Sequence, residues 1–303
     1  MSLFINIFVQ NVLPAFIVIG FGVILDRKLH IDKRALSRSV IYVLGPCLIF
    51  ANTVKSPVDP TQFGRMIAFV VLLTVIMCLV GLAVGKLLGW ASNTTDALVL
   101  SIAFLNSGNF GLPIILFSFG EIGFEYGMAF FVVSSLTCNT LAAFFAARGS
   151  GGARVALKRV LHMPQPYVFL LAYGIRLLGW TVPELLLKPT ALIARAALPI
   201  MLLLLGIQLS QTQLGKRYGQ VGVGVALRLI VGTLVGLALA PLVGLQGLPR
   251  QVAITEASTP TAVSSSLMAI EFDADAEYVT SVIFYSTLLS SITLTLIIGM
   301  LQM

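Results

Sequence analysis

Ten apolar stretches, each about 17–25 residues long, divide this chain, and that length is the reach of a helix across a hydrocarbon layer. They lie near residues 3–25, 35–54, 66–89, 95–118, 126–147, 164–181, 189–209, 219–242, 250–270 and 279–301. Inside a bilayer there is no water to serve backbone N–H and C=O groups, so spans of this length must satisfy their own backbone as helices. The expectation is an all-α integral membrane protein. Composition agrees: 10% of the 303 residues are charged and 58% are hydrophobic, where a soluble domain carries roughly 25% charge. The first 25 residues have no basic segment ahead of their apolar run, so they read as a first span and not a cleaved signal.

The formal charge of +7 could point to nucleic acid, but the basic residues sit in short connections between spans. Arg27, Lys28, Lys33, Arg34 and Arg38 fill the first connection, Arg148, Arg154, Lys158 and Arg159 the fifth, and Lys216 and Arg217 the seventh. Even-numbered connections carry only Lys55, Arg65, Lys188 and Arg250. Positive charge stays cytoplasmic. Odd connections are therefore inside and both termini outside, as expected of a multi-pass membrane protein. No nucleic-acid partner follows from this charge. Cys47, Cys78 and Cys138 lie within spans at no metal-binding spacing and read as core residues.

Shifting the chain by about 152–153 residues lays spans one to five over spans six to ten. Pro46 then falls opposite Pro199, Glu125 and Tyr126 opposite Glu277 and Tyr278, and the segment 106–113 opposite 258–265. Five spans is an odd number, so the second copy enters the membrane upside down, which is an inverted repeat of the transporter kind. The expected organisation is a first repeat over 1–147, a cytoplasmic linker over 148–163 and an inverted repeat over 164–303. Gly149 to Ala153 has linker composition.

Two spans cannot be unbroken helices. In the fourth, Asn106, Gly108, Asn109, Gly111 and Pro113 all oppose helix. In the ninth, T-E-A-S-T-P-T-A-V-S-S-S runs from 255 to 266. Thr259 and Pro260 resemble an N-cap followed by proline in the first helical position, restarting a helix there. In span four, Asn109 or Gly111 would end one half-helix and Pro113 start the next. Crossing of the two breaks would bring two helix N-termini together, whose free N–H groups favour an anion. Asn106, Asn109, Ser258, Thr259 and Thr261 would add hydrogen bonds. Glu256 takes up a proton or sodium ion, pairs with Arg228, or snorkels to the outer surface. Arg228 is also a candidate to hold a substrate carboxylate. No catalytic or metal-binding residue is indicated, and no cofactor beyond the coupling ion, H+ or Na+.

The string N-S-G-N-F-G-L-P at 106–113, the break around Pro260 and the 5+5 pattern resemble the auxin efflux carrier family, whose members include bacterial permeases and the plant PIN carriers. The resemblance covers essentially the whole chain, and the short 148–163 connection resembles the bacterial members. It implies a bile-acid-transporter-like fold in which broken helices four and nine cross. It further implies elevator-type alternating access, with spans 1, 2, 6 and 7 as scaffold and 3–5 and 8–10 moving. The cargo would be a small organic anion such as malonate, malate or an auxin-like acid. The partners implied are membrane lipids and a second copy in a homodimer. The motif places the substrate at Asn106, Gly108, Asn109, Gly111 and Pro113, facing Ser258, Thr259, Pro260 and Thr261.

Other classes fit less well. An intramembrane enzyme needs a nucleophile–base pair or metal ligands, and the two histidines, His30 and His162, lie in or beside connections. A channel needs a continuous polar lining, whereas the polar residues here gather in two breaks. A transport-dead sensor stays open on sequence grounds.

Overall fold

A computed structural model describes residues 2–56, 59–148, 164–212, 214–271 and 273–303, with side chains not described at 2, 60 and 139–148. Among the described residues the regular structure is entirely helical. In chain order the helices are α1 (Ser2–Ile7), α2 (Leu13–Leu29), α3 (Lys33–Ser39), α4 (Gly45–Thr53), α5 (Pro60–Leu87), α6 (Ser92–Ala103) and α7 (Leu112–Arg148). Then follow α8 (Pro164–Leu177), α9 (Glu184–Ser210), α10 (Tyr218–Ala226), α11 (Gly232–Leu242), α12 (Gly247–Ala257), α13 (Ser264–Glu271) and α14 (Ala276–Gln302). The proposed linker, apart from the backbone of Arg148, lies outside the described residues.

Seven continuous stretches among the described residues are long and apolar enough to cross a membrane, where the sequence suggested ten. Three physical causes account for the difference. Spans four and nine are each interrupted by non-helical backbone, leaving α6, α12 and α13 too short. The far half of span four runs together with span five in α7. Gly120, at φ 65° and ψ −165°, divides that helix into residues 112–119 and 121–148. The sixth span is α8, of 14 residues.

Three prolines leave a common mark. Pro14, Pro46 and Pro113 each stand two residues after a π-helical turn, at Phe8–Val12, Val40–Leu44 and Ser107–Gly111. A proline ring displaces the carbonyl four residues back and offers it no N–H. Widening the preceding turn to an i→i+5 pattern absorbs the clash without ending the helix. Helix starts are conventional. Asp32 caps α3 by accepting from Arg34 N–H at 2.8 Å, and Asp275 caps α14 by accepting from Tyr278 N–H at 3.0 Å.

Packing is closest where α2 crosses α9. Gly22 and Gly206 face each other there, and a Cβ on either would overlap a carbonyl of the other helix, that of Leu203 or of Ile19. Small residues permit this approach, and dispersion between the two backbones holds it. The larger apolar core joins α5, α6 and α7 with α10 to α14 and reaches α2 and α9. A second, smaller core lies among α4, α7, α8 and α9. Outward faces carry large apolar residues such as Leu79, Leu185 and Leu242, as a surface against lipid tails requires.

Candidate functional site

Helix α6 ends at Ala103 and its chain turns extended, with Phe104 at φ −104° and ψ 118°. Helix α12 ends at Ala257, and residues 258–263 form an irregular stretch before α13. These two breaks meet. Leu105 and Thr261 form a single antiparallel bridge. Asn106 N–H donates to Pro260 O at 2.8 Å, and Ala262 N–H donates to Phe104 O at 2.9 Å. Each break thus supplies the backbone partners that the other has lost and that a membrane interior cannot offer.

The carbonyls at the end of α6 are served from across the crossing. Leu100 O accepts from Ser265 Oγ at 2.9 Å, Ser101 O from Thr261 Oγ1 at 2.7 Å, and Ile102 O from Arg228 Nη1 at 2.6 Å. Those of α12 are served locally and by the same arginine. Ile254 O accepts from Ser258 Oγ at 2.8 Å, Glu256 O from Thr259 Oγ1 at 2.7 Å, and Ala257 O from Arg228 Nη2. Helix C-terminal carbonyls are orphans by construction, and at this crossing hydroxyls and one guanidinium satisfy them.

The N-terminal side is different. In the turn Ser107–Gly111 the first N–H to find a helical acceptor is that of Gly111, which donates to Asn106 O at 2.9 Å. The N–H groups of residues 107–110 precede it and have no acceptor in their own helix. Around this turn lie buried side-chain atoms without a hydrogen-bond partner: Asn106 Nδ2, Thr255 Oγ1 and both carboxyl oxygens of Glu256. Glu256 is fully buried, and its carboxyl sits on Gly111, where a Cβ would overlap Oε2. Gly111 is therefore needed for close approach. Asn109 is half-buried on the same turn.

Several expected details differ. The first break falls at 104–106, ahead of Asn109 and Gly111, because Pro113 widens the turn before it and does not start a helix. The second half-helix of span nine starts at Ser264 and not at Pro260, since Thr259 Oγ1 caps the preceding helix instead of the following one. Ser258, Thr259 and Thr261 donate to carbonyls, so towards a ligand they act as acceptors. Arg228 and Glu256 are both at the crossing, but the guanidinium goes to two carbonyls and the carboxyl is left without a hydrogen-bond partner. Ser101, Thr255, Ser265 and Ser286 were not singled out from sequence. Ser286 Oγ accepts from Thr261 N–H at 3.2 Å. The available signal was a hydroxyl within an apolar span, and such residues also bond within ordinary helices. Arg195 is exposed, and Arg176 lies over the Tyr173 ring at 5.7 Å, in a cleft with Glu125 away from the crossing.

Comparison with known proteins places this geometry in context. A family model described as membrane transport protein matches residues 7–153 and 152–298. An uncharacterized transporter of Methanothermobacter thermautotrophicus is 27% identical over 299 residues, spanning 95% of this chain and 96% of that protein. An uncharacterized transporter of Methanocaldococcus jannaschii is 24% identical over 287 residues, 91% of each chain.

Proposed function

This chain belongs to the membrane transport protein family, that of the auxin efflux carriers, and is a transporter and not an enzyme; from that premise we propose that it is a secondary carrier of small organic anions. The observation that carries this reading is the pairing of four N–H groups that have no acceptor in their own helix with the buried, unpartnered amide of Asn106. N–H groups at a helix N-terminus attract an anion, and an amide donor gives direction. Asn106, Gly108, Asn109, Gly111 and Pro113 form the turn that would receive the carboxylate. Ser258, Thr259, Pro260 and Thr261 form the opposite wall. Glu256 is the coupling group, exchanging a small cation as the anion enters and leaves.

The moving body consists of spans 3–5 and 8–10 and carries the crossing between the two faces of the cytoplasmic membrane. Spans 1, 2, 6 and 7 stand still and form the homodimer. Two features support that division. Cross-bonds from Ser265, Thr261 and Arg228 tie both broken helices into one unit, while Gly22 and Gly206 lock α2 to α9. The chain forms a 5+5 inverted repeat with both termini outside. Positive charge in the odd connections supports this orientation.

A thermal-shift panel of mono- and dicarboxylates on the purified protein tests the reading. A ligand of the folded state raises apparent stability by mass action. Stabilisation by malonate, malate or indole-3-acetate that disappears in Asn109→Ala is the expected result. A panel without any stabilising anion would overturn it.

A further inference from the structure

The substrate reading leaves one group unexplained, the guanidinium of Arg228. It is the largest fully buried side chain among the described residues, and it extends from the π-helical turn Leu227–Val231. Gly232 makes room for it: a Cβ there would lie 2.8 Å from Nη2 and 3.0 Å from Cζ. Nη1 donates to Ile102 O at 2.6 Å and Nη2 donates to Ala257 O. Those carbonyls belong to the C-terminal ends of α6 and α12. Each helix C-terminus carries roughly −0.5 elementary charge, so two ends together balance about one guanidinium.

Half-helix C-termini and unwound carbonyls are where carriers with broken helices hold a coupling cation. We propose that Arg228 is a built-in counter-cation that fills this position, so that the carrier works without sodium at its crossing. Four further carbonyl oxygens at the crossing are engaged as well. Leu100 O and Ser101 O take hydroxyls, while Phe104 O and Pro260 O take N–H groups. The inference rests on the carrier reading only in calling the crossing a coupling site, and it deepens that reading by making the exchanged cation a proton. Helices α5, α7, α11, α14 and the turn 107–111 pack against α12. Their ionisable groups with described side chains are Arg65, Lys86, Glu121, Glu125, Tyr126, Glu277, Tyr278 and Tyr285 with the thiols of Cys78 and Cys138, and none of them, nor Arg228, hydrogen-bonds the Glu256 carboxyl.

The test needs no substrate. Thermal stability of the purified full-length protein is compared in sodium chloride and choline chloride at equal ionic strength, for wild type, Arg228→Lys and Arg228→Ala. Wild type is expected to melt at the same temperature in both salts. Arg228→Ala should melt roughly 5–10 °C lower in choline, from two lost charge-assisted hydrogen bonds. Sodium or millimolar guanidinium should recover part of that loss by entering the vacated position. Arg228→Lys should fall between, since an ammonium lacks the planar fork that reaches two carbonyls at once. Sodium stabilising wild type over choline would overturn the proposal, as would an Arg228→Ala protein indifferent to every cation. Should that variant not fold, the wild-type comparison still decides. Because chloride is common to both salts and no organic anion is added, a failed anion panel and a failed cation test are separate results.

Discussion

Glu256 and Gly111 meet across the crossing of two broken helices, the carboxyl of one resting on the Cα of the other. They are 145 positions apart in a chain of 303 residues, on segments that touch only because both helices break. The contact sets a carboxyl group of the protein itself beside the turn whose N–H groups would receive an anion. Substrate and Glu256 therefore act on the same small volume, and most of the site's behaviour follows from that.

Gly111→Ala places a methyl group where Oε2 now lies. Glu256 must turn away or the two half-helices must separate. The expected cost in stability is about 1–3 kcal/mol, the usual range for overpacking a close contact. Anion affinity should fall at least about tenfold, because the 107–111 turn no longer keeps its present distance from α12. Calorimetric titration with malonate on the folded variant measures it, and unchanged affinity would mean that the anion binds elsewhere.

Glu256→Gln keeps the shape and removes the exchangeable charge. Two negative groups sharing a dry site repel, so anion binding favours the protonated carboxyl. By linkage, binding in wild type takes up a proton wherever the empty site holds the carboxylate, and affinity should then rise as pH falls. In the variant that slope should vanish while binding at low pH remains. Titrations at a series of pH values, with and without sodium, give both slopes. A slope that persists in the variant would assign the proton to another group.

The two breaks were legible in the sequence because glycine, proline and asparagine are rare together in an apolar span, as at 106–113, and so is a proline among serines and threonines, as at 255–266. Their positions were less so, for a local reason and a distant one. Locally, Pro113 acts on the turn before it, as Pro14 and Pro46 do, so a widened turn stands where a helix end was expected. At a distance, Thr261 and Ser265 serve carbonyls of α6, a partnership 160 residues or more away in sequence that no local pattern reveals. Arg228 could be noticed as a buried cation. Its partners are two backbone oxygens, which carry no side-chain signature. Among the described residues seven continuous spans appear in place of ten for the same reason: apolar length is written in composition, whereas continuity depends on where the backbone finds its hydrogen bonds.

Gly206→Val tests the proposed scaffold. A Cβ at Gly206 would overlap Ile19 O, and α2 would have to back away from α9. Loss of at least about 1–3 kcal/mol is expected, seen as a lower melting temperature and earlier aggregation on size exclusion. Gly20→Ala, on the same helix as Gly22 but with nothing within 4 Å of its added methyl, should be neutral or gain up to about 1 kcal/mol from helix propensity. Equal effects at both positions would remove the close crossing from the account.

Asn106 separates a binding role from a structural one. Its backbone N–H already serves Pro260 O, and its carbonyl accepts from Gly111 N–H. The amide Nδ2 is buried with no partner, an arrangement that costs stability in the empty protein. Asn106→Ala removes that orphan donor without touching either backbone bond. The empty variant should be as stable as wild type or up to about 1–2 kcal/mol more stable. Anion affinity should nonetheless fall roughly tenfold or more, the loss of one or more hydrogen bonds to a charged ligand. Asn109→Ala, half-buried on the same turn, should also lose affinity with little change in melting temperature. Paired melting and titration on both variants distinguish the cases. Lower stability with unchanged affinity would make Asn106 a structural residue and move the anion away from the crossing.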